Sequence, residues 1–232
     1  ESQVARSNTR NDFGCLFIDP NEDTLDCSYG IQRTAQGSRA LQPEESENTS
    51  IGIVIEPIEG LTLTVDRWEI EKENTIGLFG EENHVALDLL LRLQAGAGNC
   101  AAVTGNPNVI RDSVIEPEAQ PLFAPAGICP FGEVIRVDDQ YANLDTRTVR
   151  GLDIGVYYDF STAIGNFGFR YVGTRLDEYE QKAGGQAAEL VAAQNSGLLP
   201  ASVPVTGFAN LIGEDGNPER KDTVRLRWDY ES

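Results

Sequence analysis

Three oxygen-bearing side chains near the start of the chain are the best candidates for chemistry. In the stretch DPNEDTLD, Asp19, Asn21 and Asp23 occupy alternating positions. Oxygen ligands at this spacing suit a calcium ion. A complete EF-hand loop would have glycine and glutamate where this chain has Thr24 and Gly30. We therefore consider Asp19, Asn21 and Asp23 a calcium candidate, with an ordinary acidic loop as the alternative, and we expect no other cofactor.

Catalytic side chains are otherwise sparse. The chain has a single histidine, His84, so neither a Ser-His-Asp triad nor a histidine-rich metal cluster can be assembled from it. Carboxylates are numerous but scattered through polar segments, which is typical of a solvated surface. We therefore predict that the protein is not an enzyme and that His84 is a surface or packing residue.

The charge of the chain excludes one large class of partners. The sequence carries 37 acidic and 18 basic residues, a net charge of -19. Binding nucleic acid requires clustered Lys and Arg to neutralise phosphates, so we expect no nucleic acid partner. There is no methionine, and the first residue is Glu1. We interpret the chain as a processed product or an internal piece of a longer protein.

Four cysteines indicate the compartment. Cys15 and Cys27 bracket one loop-like segment, and Cys100 and Cys129 bracket another. Neither spacing matches a zinc or redox motif, so a disulfide within each pair is the simplest of the three connectivities. Such disulfides imply an oxidising environment. The alternative is four free, buried thiols in a cytosolic protein.

Residues 151–160 alternate with a period of two, which is typical of a strand with unlike faces. The apolar parity consists of Leu152, Ile154, Val156, Tyr158 and Phe160. The other parity is small or acidic, with Gly151, Asp153, Gly155 and Asp159. Periodicity alone does not decide whether the apolar parity fills a sandwich core or meets lipid.

The lengths of the connections favour lipid. The sequence predicts two hairpins, at 50–76 and 133–181, each with a short turn between its strands. It also predicts a last strand at 222–232. It predicts long loops at 1–49, at 77–132 with a helix at 81–94, and at 182–221. Short turns at one end and long loops at the other are typical of outer-membrane barrels and uncommon in compact domains.

Aromatic residues near the short turn at 161–165 support the same interpretation, since rings collect at the rim of a membrane barrel. We therefore predict that Leu152, Ile154, Val156, Tyr158 and Phe160 face lipid. The opposite parity would face the barrel interior. Ile154→Asp is accordingly expected to impair membrane assembly, whereas Gly155→Ser should be tolerated far better.

Several segments resemble one known family. They are LQPEESENTSIGIVIEPIEGLTLTVDRWEIEKENTI (41–76), GLFGEENHVALDLLLRLQAG (77–96), NPNVIRD (106–112), YANLDTRTVRGLDIGVYYDF (141–160) and the loop piece RSNTRNDFGC (6–15). In this order and spacing they resemble the late barrel of TonB-dependent outer-membrane receptors.

The resemblance implies a fold: mostly β, an antiparallel up-and-down transmembrane β-barrel segment of about five strands, with long extracellular loops carrying short helices. It also implies a location, the outer membrane of a Gram-negative bacterium, and a role in energy-coupled import of a siderophore, cobalamin, haem or oligosaccharide. Its partners would be outer-membrane lipid, the remaining barrel strands, a plug, and TonB acting through that plug. The chain departs from the family because it shows neither plug nor TonB box.

A different function class also fits the residues. A secreted, disulfide-stapled β-rich binding module, such as a lectin-like sandwich, would use the same alternating strands to fill a core. The two classes differ in what covers the apolar parity. If the chain belongs to a receptor, its acidic loops mildly disfavour an anionic ferric chelate as the substrate.

Overall fold

The computed structural model describes residues 4–214 and 216–230 of the chain. In chain order its elements are β1 (Val4–Asn11), α1 (Phe13–Ile18), β2 (Ser28–Gln36), β3 (Glu45–Ile58), β4 (Leu61–Glu73), β5 (Ile76–Leu78), α2 (Glu81–Ala95), β6 (Val109–Arg111), α3 (Gln120–Ala126), β7 (Val134–Asn143), β8 (Arg147–Thr162), β9 (Gly165–Gln181), α4 (Gly185–Asn195), β10 (Ala209–Asn210) and β11 (Arg220–Asp229). With 45% of residues in strands and 19% in helices, the prediction of a mostly β chain is confirmed.

The described residues divide into two compact units rather than one. Unit 1 takes the described residues of Glu1–Pro43, Ile76–Asp145 and Ala183–Phe208. Unit 2 takes those of Glu44–Thr75, Thr146–Lys182 and Ala209–Ser232. Each unit has its own sheet, and neither sheet closes into a barrel in the described part of the chain.

Unit 1 contains a five-stranded sheet in which β1, β2 and β7 are neighbours and both β5 and β6 pair with β7. Strands β2 and β7 run parallel, whereas the other pairs are antiparallel. The helices α1 to α4 all belong to this unit. Unit 1 is therefore a mixed α and β body.

Helix α2 lies at the centre of the unit 1 core. Its side chains Leu87, Leu89 and Leu90 are at most 2% exposed. Glutamates occupy its first turn and Arg92 its last, where each charge is favoured by the helix dipole. The buried cluster around α2 draws on every segment of the unit, and its members include Phe13, Ile31, Phe79, Val137, Leu190, Leu199 and Phe208.

Both predicted disulfides are present, and both lie in unit 1. Cys15 and Cys27 are 12 residues apart and belong to a second buried cluster around α1 and α3. Cys100 and Cys129 are 29 residues apart. No cysteine is free, which excludes the alternative of four thiols.

Unit 2 is a single antiparallel sheet with the order β11, β9, β8, β4, β3, and the two-residue β10 also pairs with β9. Tight turns join β3 to β4 and β8 to β9. Gly60 and Gly165 have φ values of 80° and 122° in these turns, a region that favours glycine. The described residues of this unit include no helix.

The predicted loop at 1–49 is wrong in most of its length. Residues in this range form β1, α1 and β2, and β3 begins at Glu45, ahead of the predicted hairpin start. Strand β2 is stabilised by pairing with β7, about 100 residues later in the chain. Such pairing allows polar residues with weak strand propensity to form a strand.

The predicted hairpin at 133–181 is also corrected. Its first part, β7, belongs to the sheet of unit 1, and the chain leaves that sheet at residues 144–146 before β8 begins. The hairpin proper is β8 with β9. The predicted loops at 77–132 and 182–221 are folded too, since they contain α2, β6, α3 and α4, and the helix predicted at 81–94 is observed as α2. The last strand, predicted at 222–232, is described as β11, and residues 231–232 lie outside the described residues.

Candidate functional site: the two faces of the unit 2 sheet

Antiparallel pairing decides which side chains of unit 2 share a face, because directly opposite residues point to the same side of a sheet. Val156 of β8 lies opposite Leu63 of β4 and Tyr171 of β9. The same row continues to Ile55 of β3 and Val224 of β11. Each of the five long strands thus contributes an apolar or aromatic residue to this row.

Further apolar rows follow toward the short turns, and together with the first row we call them the apolar band. The members of the added rows are Leu61, Tyr158, Phe169 and Leu226, then Phe160, Phe167 and Trp228. Leu226 is 77% exposed and Trp228 is 58% exposed. A contiguous apolar surface of this kind marks contact with lipid or with another protein.

Rings gather at the short-turn end of the apolar band. Phe160 stacks on Phe167, with centroids 5.3 Å apart, and Phe167 stacks on Trp228 at 6.0 Å. Tyr158 and Tyr230 extend the cluster at either end. The Trp228 indole N–H donates to the carbonyl of Ile164 in the turn, which fixes the ring at the sheet end. The aromatic residues noted near the short turn in the sequence thus lie together at one end of the sheet.

Charge limits the apolar band at its other end. The row of Leu152 also contains three arginines, Arg67, Arg175 and Arg220. Between this row and the band, Ile154 lies opposite Val65 and Gly173. Ile154, Val156, Tyr158 and Phe160 thus share one apolar surface as predicted, whereas Leu152 belongs to a charged margin that the sequence pattern did not reveal.

The opposite face of the sheet is polar. Its members include Thr62, Thr64, Asp66, Asp153, Tyr157, Asp159, Arg170, Thr174, Thr223, Arg225 and Arg227. Its apolar members include Val54, Trp68 and Val172, and Val172 lies opposite Gly155 and Thr223. We call this the polar face. Its composition suits water or polar protein groups.

Glycines on the polar face make room for large neighbours, so a side chain at Gly155 would require these neighbours to shift. A Cβ built at Gly155 would lie 2.5 Å from Thr64 Oγ1 and 2.7 Å from the Tyr157 ring. At Gly151 it would meet the Trp68 ring at 2.5 Å. Both positions need glycine because of these close approaches.

The two outer strands of the sheet present open edges. In the part of the chain that the structure describes, strands β3 and β11 pair on one side only, and every residue of both is exposed. Unpaired backbone N–H and C=O groups at a long edge are ready to pair with another strand. Both edges and the apolar band of unit 2 are therefore open among these residues.

Unit 1, in contrast, contains a fully paired ionic network. Arg111 donates to both oxygens of Asp12, at 2.7 and 2.9 Å, and to Asp88 at 2.8 Å. Arg92 donates to the same Asp88 carboxylate, and Tyr29 donates to Asp12. Burial by itself raises the pKa of Asp12, but Arg111 and these hydrogen bonds lower it below its usual value overall. The network thus keeps charged side chains paired with one another in the interior of unit 1.

His84 lies within a second part of this polar interior rather than on the surface. Its Nε2 is 3.2 Å from Asp139 Oδ1, and its Nδ1 is 3.2 Å from Asn106 Nδ2. Asp139 also accepts from Arg33 and from the backbone N–H of Gly80. No Ser, Thr or Cys side chain is hydrogen-bonded to His84 in the described part of the chain. The arrangement positions α2 and offers no nucleophile.

The calcium candidate is not assembled in the structure. Both Asp19 oxygens accept backbone N–H groups, those of Asp23, Thr24 and Leu25. These hydrogen bonds lower the pKa of Asp19. Asn21 and Asp23 are exposed. Within the residues described, no group of three or more His, Cys, Asp or Glu side chains is arranged to hold a metal ion, so Asp19 closes a loop instead.

None of the helices in the described part of the chain combines the length and hydropathy needed to cross a bilayer. No protein-family model matches the sequence, and no curated protein matches it. Sequence reasoning missed the Asp12 and Arg111 network and the arginine pairs of β9 and β11, because these contacts depend on strand register and long-range pairing.

Proposed function

We propose that this chain is a segment of an outer-membrane receptor of the TonB-dependent kind, which imports an extracellular nutrient with energy coupling. One observation carries the proposal. A single-layer antiparallel sheet exposes an apolar band on one face and polar groups on the other, with rings at the short-turn end. Transmembrane β-barrels have this combination of features.

The apolar surface of the sheet covers part of the height of a barrel's apolar belt. Along β8 the apolar residues run from Ile154 to Phe160, about 20 Å at roughly 3.4 Å per residue. At the strand tilt of about 35–45° in outer-membrane barrels this is about 15 Å of the belt, which is about 25 Å tall. A barrel also has no sheet edge in lipid, so the exposed edges of β3 and β11 would pair with further strands of the same receptor.

The chain connections and the disulfides of unit 1 support an extracellular role. All of its segments connect to the sheet end opposite the short turns, where β4 and β9 end and where β3, β8 and β11 begin. Long extracellular connections lie at that end in outer-membrane barrels. Its two disulfides require an oxidising compartment. Unit 1 would therefore meet the nutrient, and a plug moved by TonB would admit it.

Lipid contact can be tested with the two tryptophans of the chain, Trp68 and Trp228. The purified chain is added to phosphatidylcholine vesicles whose acyl chains carry bromine, which quenches indole fluorescence on contact. In the Trp68→Phe variant, the remaining Trp228 lies in the apolar band and should be strongly quenched. In the Trp228→Phe variant, Trp68 lies on the polar face over Gly151 and should not be.

A third variant places a polar-face probe within the span of the apolar band rather than beyond it. Val172→Trp, combined with Trp68→Phe and Trp228→Phe, places one indole on the polar face beside the first row of the apolar band, and it should also escape quenching. Equal quenching of the three variants, or no quenching of Trp228, would rule out lipid contact by the apolar band. A chain that is folded and monodisperse in plain buffer, without detergent, would contradict the proposal as well.

Transport is tested in the receptor that carries this segment. Ile154→Arg places a charge among apolar neighbours and should reduce both its amount in the outer membrane and nutrient uptake. Val172→Arg, at similar exposure on the polar face, should leave its amount in the membrane unchanged. Uptake should also stop when a protonophore removes the proton gradient. Uptake that survives the protonophore would exclude energy coupling.

One observation favours the second candidate, a secreted and disulfide-stapled binding module. Unit 1 has its own apolar core and both disulfides. Small secreted domains gain stability in the same way. The uncovered apolar band of unit 2 argues against this candidate, because a secreted module would bury that band in a second sheet.

A further inference from the structure

Strands β9 and β11 contain two pairs of directly opposite arginines, one on each face of the sheet. Arg175 lies opposite Arg220 in the charged margin of the apolar band, and Arg170 lies opposite Arg225 on the polar face. Directly opposite residues of an antiparallel pair are about 5 Å apart, and like charges at this distance destabilise a sheet. Each pair therefore needs nearby negative charge.

The Arg175 and Arg220 pair is compensated within the chain. Arg220 forms an ion pair with Asp222 at 2.8 Å. Arg175 lies 3.7 Å from Asp177 and 3.8 Å from Glu219. Acidic residues thus accompany both arginines in sequence and in space.

The Arg170 and Arg225 pair has no such partner. No described carboxylate lies within ion-pair distance of either guanidinium. The nearest acids on this face, Asp159 and Asp229, are 3.9 and 2.9 Å from Arg227 instead. The acids Asp66 and Asp153 lie in another row, four residues along β8 from the row of Tyr157 and Arg170, or about 13 Å.

A small cavity lies beside these arginines. It has a volume of about 100 Å³ and is lined by Asp159, Gly168, Arg170, Arg225 and Arg227. A Cβ at Gly168 would lie 2.9 Å from Asp159 Oδ1, so glycine makes room for this carboxylate at the wall of the cavity. With three arginines against one aspartate in its lining, the cavity is a locally basic site in a chain whose net charge is -19.

We propose that Arg170 and Arg225 bind an oxyanion, the carboxylate or phosphate group of a small-molecule ligand, with Arg227 at the margin of the site. A guanidinium presents parallel N–H donors that match two oxygens of one such group. Two uncompensated guanidinium groups on one face bind it from both sides, and the anion removes their mutual repulsion. The site does not depend on membrane insertion, because its residues and charges belong to the sheet itself.

The test titrates inorganic phosphate and, separately, acetate into the folded chain by calorimetry, with chloride used to hold the ionic strength constant. Where the chain needs detergent, a maltoside is used because it carries no phosphate. Arg170→Gln and Arg225→Gln should each weaken binding about tenfold or more, the scale of one lost charge-assisted hydrogen bond. The matched controls Arg175→Gln and Arg220→Gln should bind as the unmodified chain does.

A second measurement shows whether the variants fold. Without oxyanion, Arg225→Gln should raise the thermal midpoint of the sheet, because it removes like-charge repulsion, and phosphate should stabilise the unmodified chain but not this variant. The proposal is overturned if neither phosphate nor acetate binds saturably to the unmodified, folded chain. It is also overturned if both arginine pairs lose binding equally, or if an acidic peptide binds at the site while both small anions fail.

Discussion

Unit 1 and unit 2 satisfy their polar and apolar groups in opposite ways. Unit 1 buries its leucines around α2, pairs its interior charges and closes two disulfides. Unit 2 leaves both faces of a single-layer sheet and both of its edge strands exposed. The first unit has what a stable domain needs, whereas the second leaves its apolar band and its edges uncovered in the described part of the chain.

This difference can be measured because each unit has its own spectroscopic probe. In the described part of the chain the helices all lie in unit 1, so far-ultraviolet circular dichroism of helices follows that unit. Both tryptophans, Trp68 and Trp228, belong to unit 2, so their fluorescence follows the sheet.

The largest effect is expected from Arg111→Ala. The substitution leaves the buried carboxylates of Asp12 and Asp88 without their shared partner. Loss of one member of a buried ion pair typically costs about 3–5 kcal/mol of the free energy of unfolding. Urea titration should show this loss in the helical signal.

The matched control is Arg227→Ala on the polar face of unit 2. Arg227 forms an exposed pair with Asp229, and such pairs are worth less than about 1 kcal/mol. Equal losses for Arg111→Ala and Arg227→Ala would show that the interior of unit 1 is not the source of its stability.

The next comparison uses one residue type in two environments. Leu89 is fully buried in α2, whereas Leu226 is 77% exposed in the apolar band. Leu89→Ala should lower the free energy of unfolding of unit 1 by about 2–5 kcal/mol through lost burial and a cavity. Leu226→Ala should change the same free energy of unfolding, followed by the helical signal, by less than about 0.5 kcal/mol. A large loss for Leu226→Ala in this signal would mean that the stability of unit 1 depends on the apolar band.

A somewhat smaller effect is expected from the longer disulfide. Replacing Cys100 and Cys129 together by serine frees a segment of 29 residues in the unfolded chain. The expected loss is about 3 kcal/mol, again in the helical signal. Tryptophan fluorescence should keep its denaturant midpoint. A shift of both probes together would show that the two units unfold as one.

The smallest effect on stability is expected when the pH is lowered. Burial opposes ionisation of Asp12, but Arg111 and hydrogen bonds lower its pKa overall, and backbone N–H groups lower that of Asp19. A lowered folded-state pKa gives stability that is present above the ordinary value near 4 and is lost as pH falls through the folded-state value. Thermal midpoints of unit 1 should therefore fall below about pH 4. Asp19→Asn should flatten part of this dependence, and an unchanged slope would contradict the assignment.

Local pattern was sufficient for the sheet of unit 2. The alternation of apolar and polar residues in β8, β9 and β11 is visible because the two faces of this sheet differ so strongly. The turns at Gly60 and Gly165 are visible because only a few residues separate the strands that they join. Strands β1 and β2 gave little signal, since their side chains are mostly polar and β2 depends on a parallel partner far along the chain. The exit of β7 into the other sheet was missed for the same reason.

The candidate site was only partly visible in sequence. The apolar parity of β8 identified the band, but the charged margin at Leu152 requires the register with β4, β9 and β11. Arg170 and Arg225 face each other through a pairing that no local pattern encodes. Arg111 and Asp12 are separated by 99 residues, so their ion pair likewise depends on the completed fold.

The shared core of unit 1 constrains how the three chain segments that form this unit can be exchanged between proteins. Phe13, Leu90 and Leu190 come from three different connecting segments, yet they belong to one buried cluster. An exchange of one segment alone would leave the other two with an unmatched surface. In evolution and in loop grafting, the three segments must therefore be inherited or transplanted together, as a single module that the sequence interrupts twice with strands.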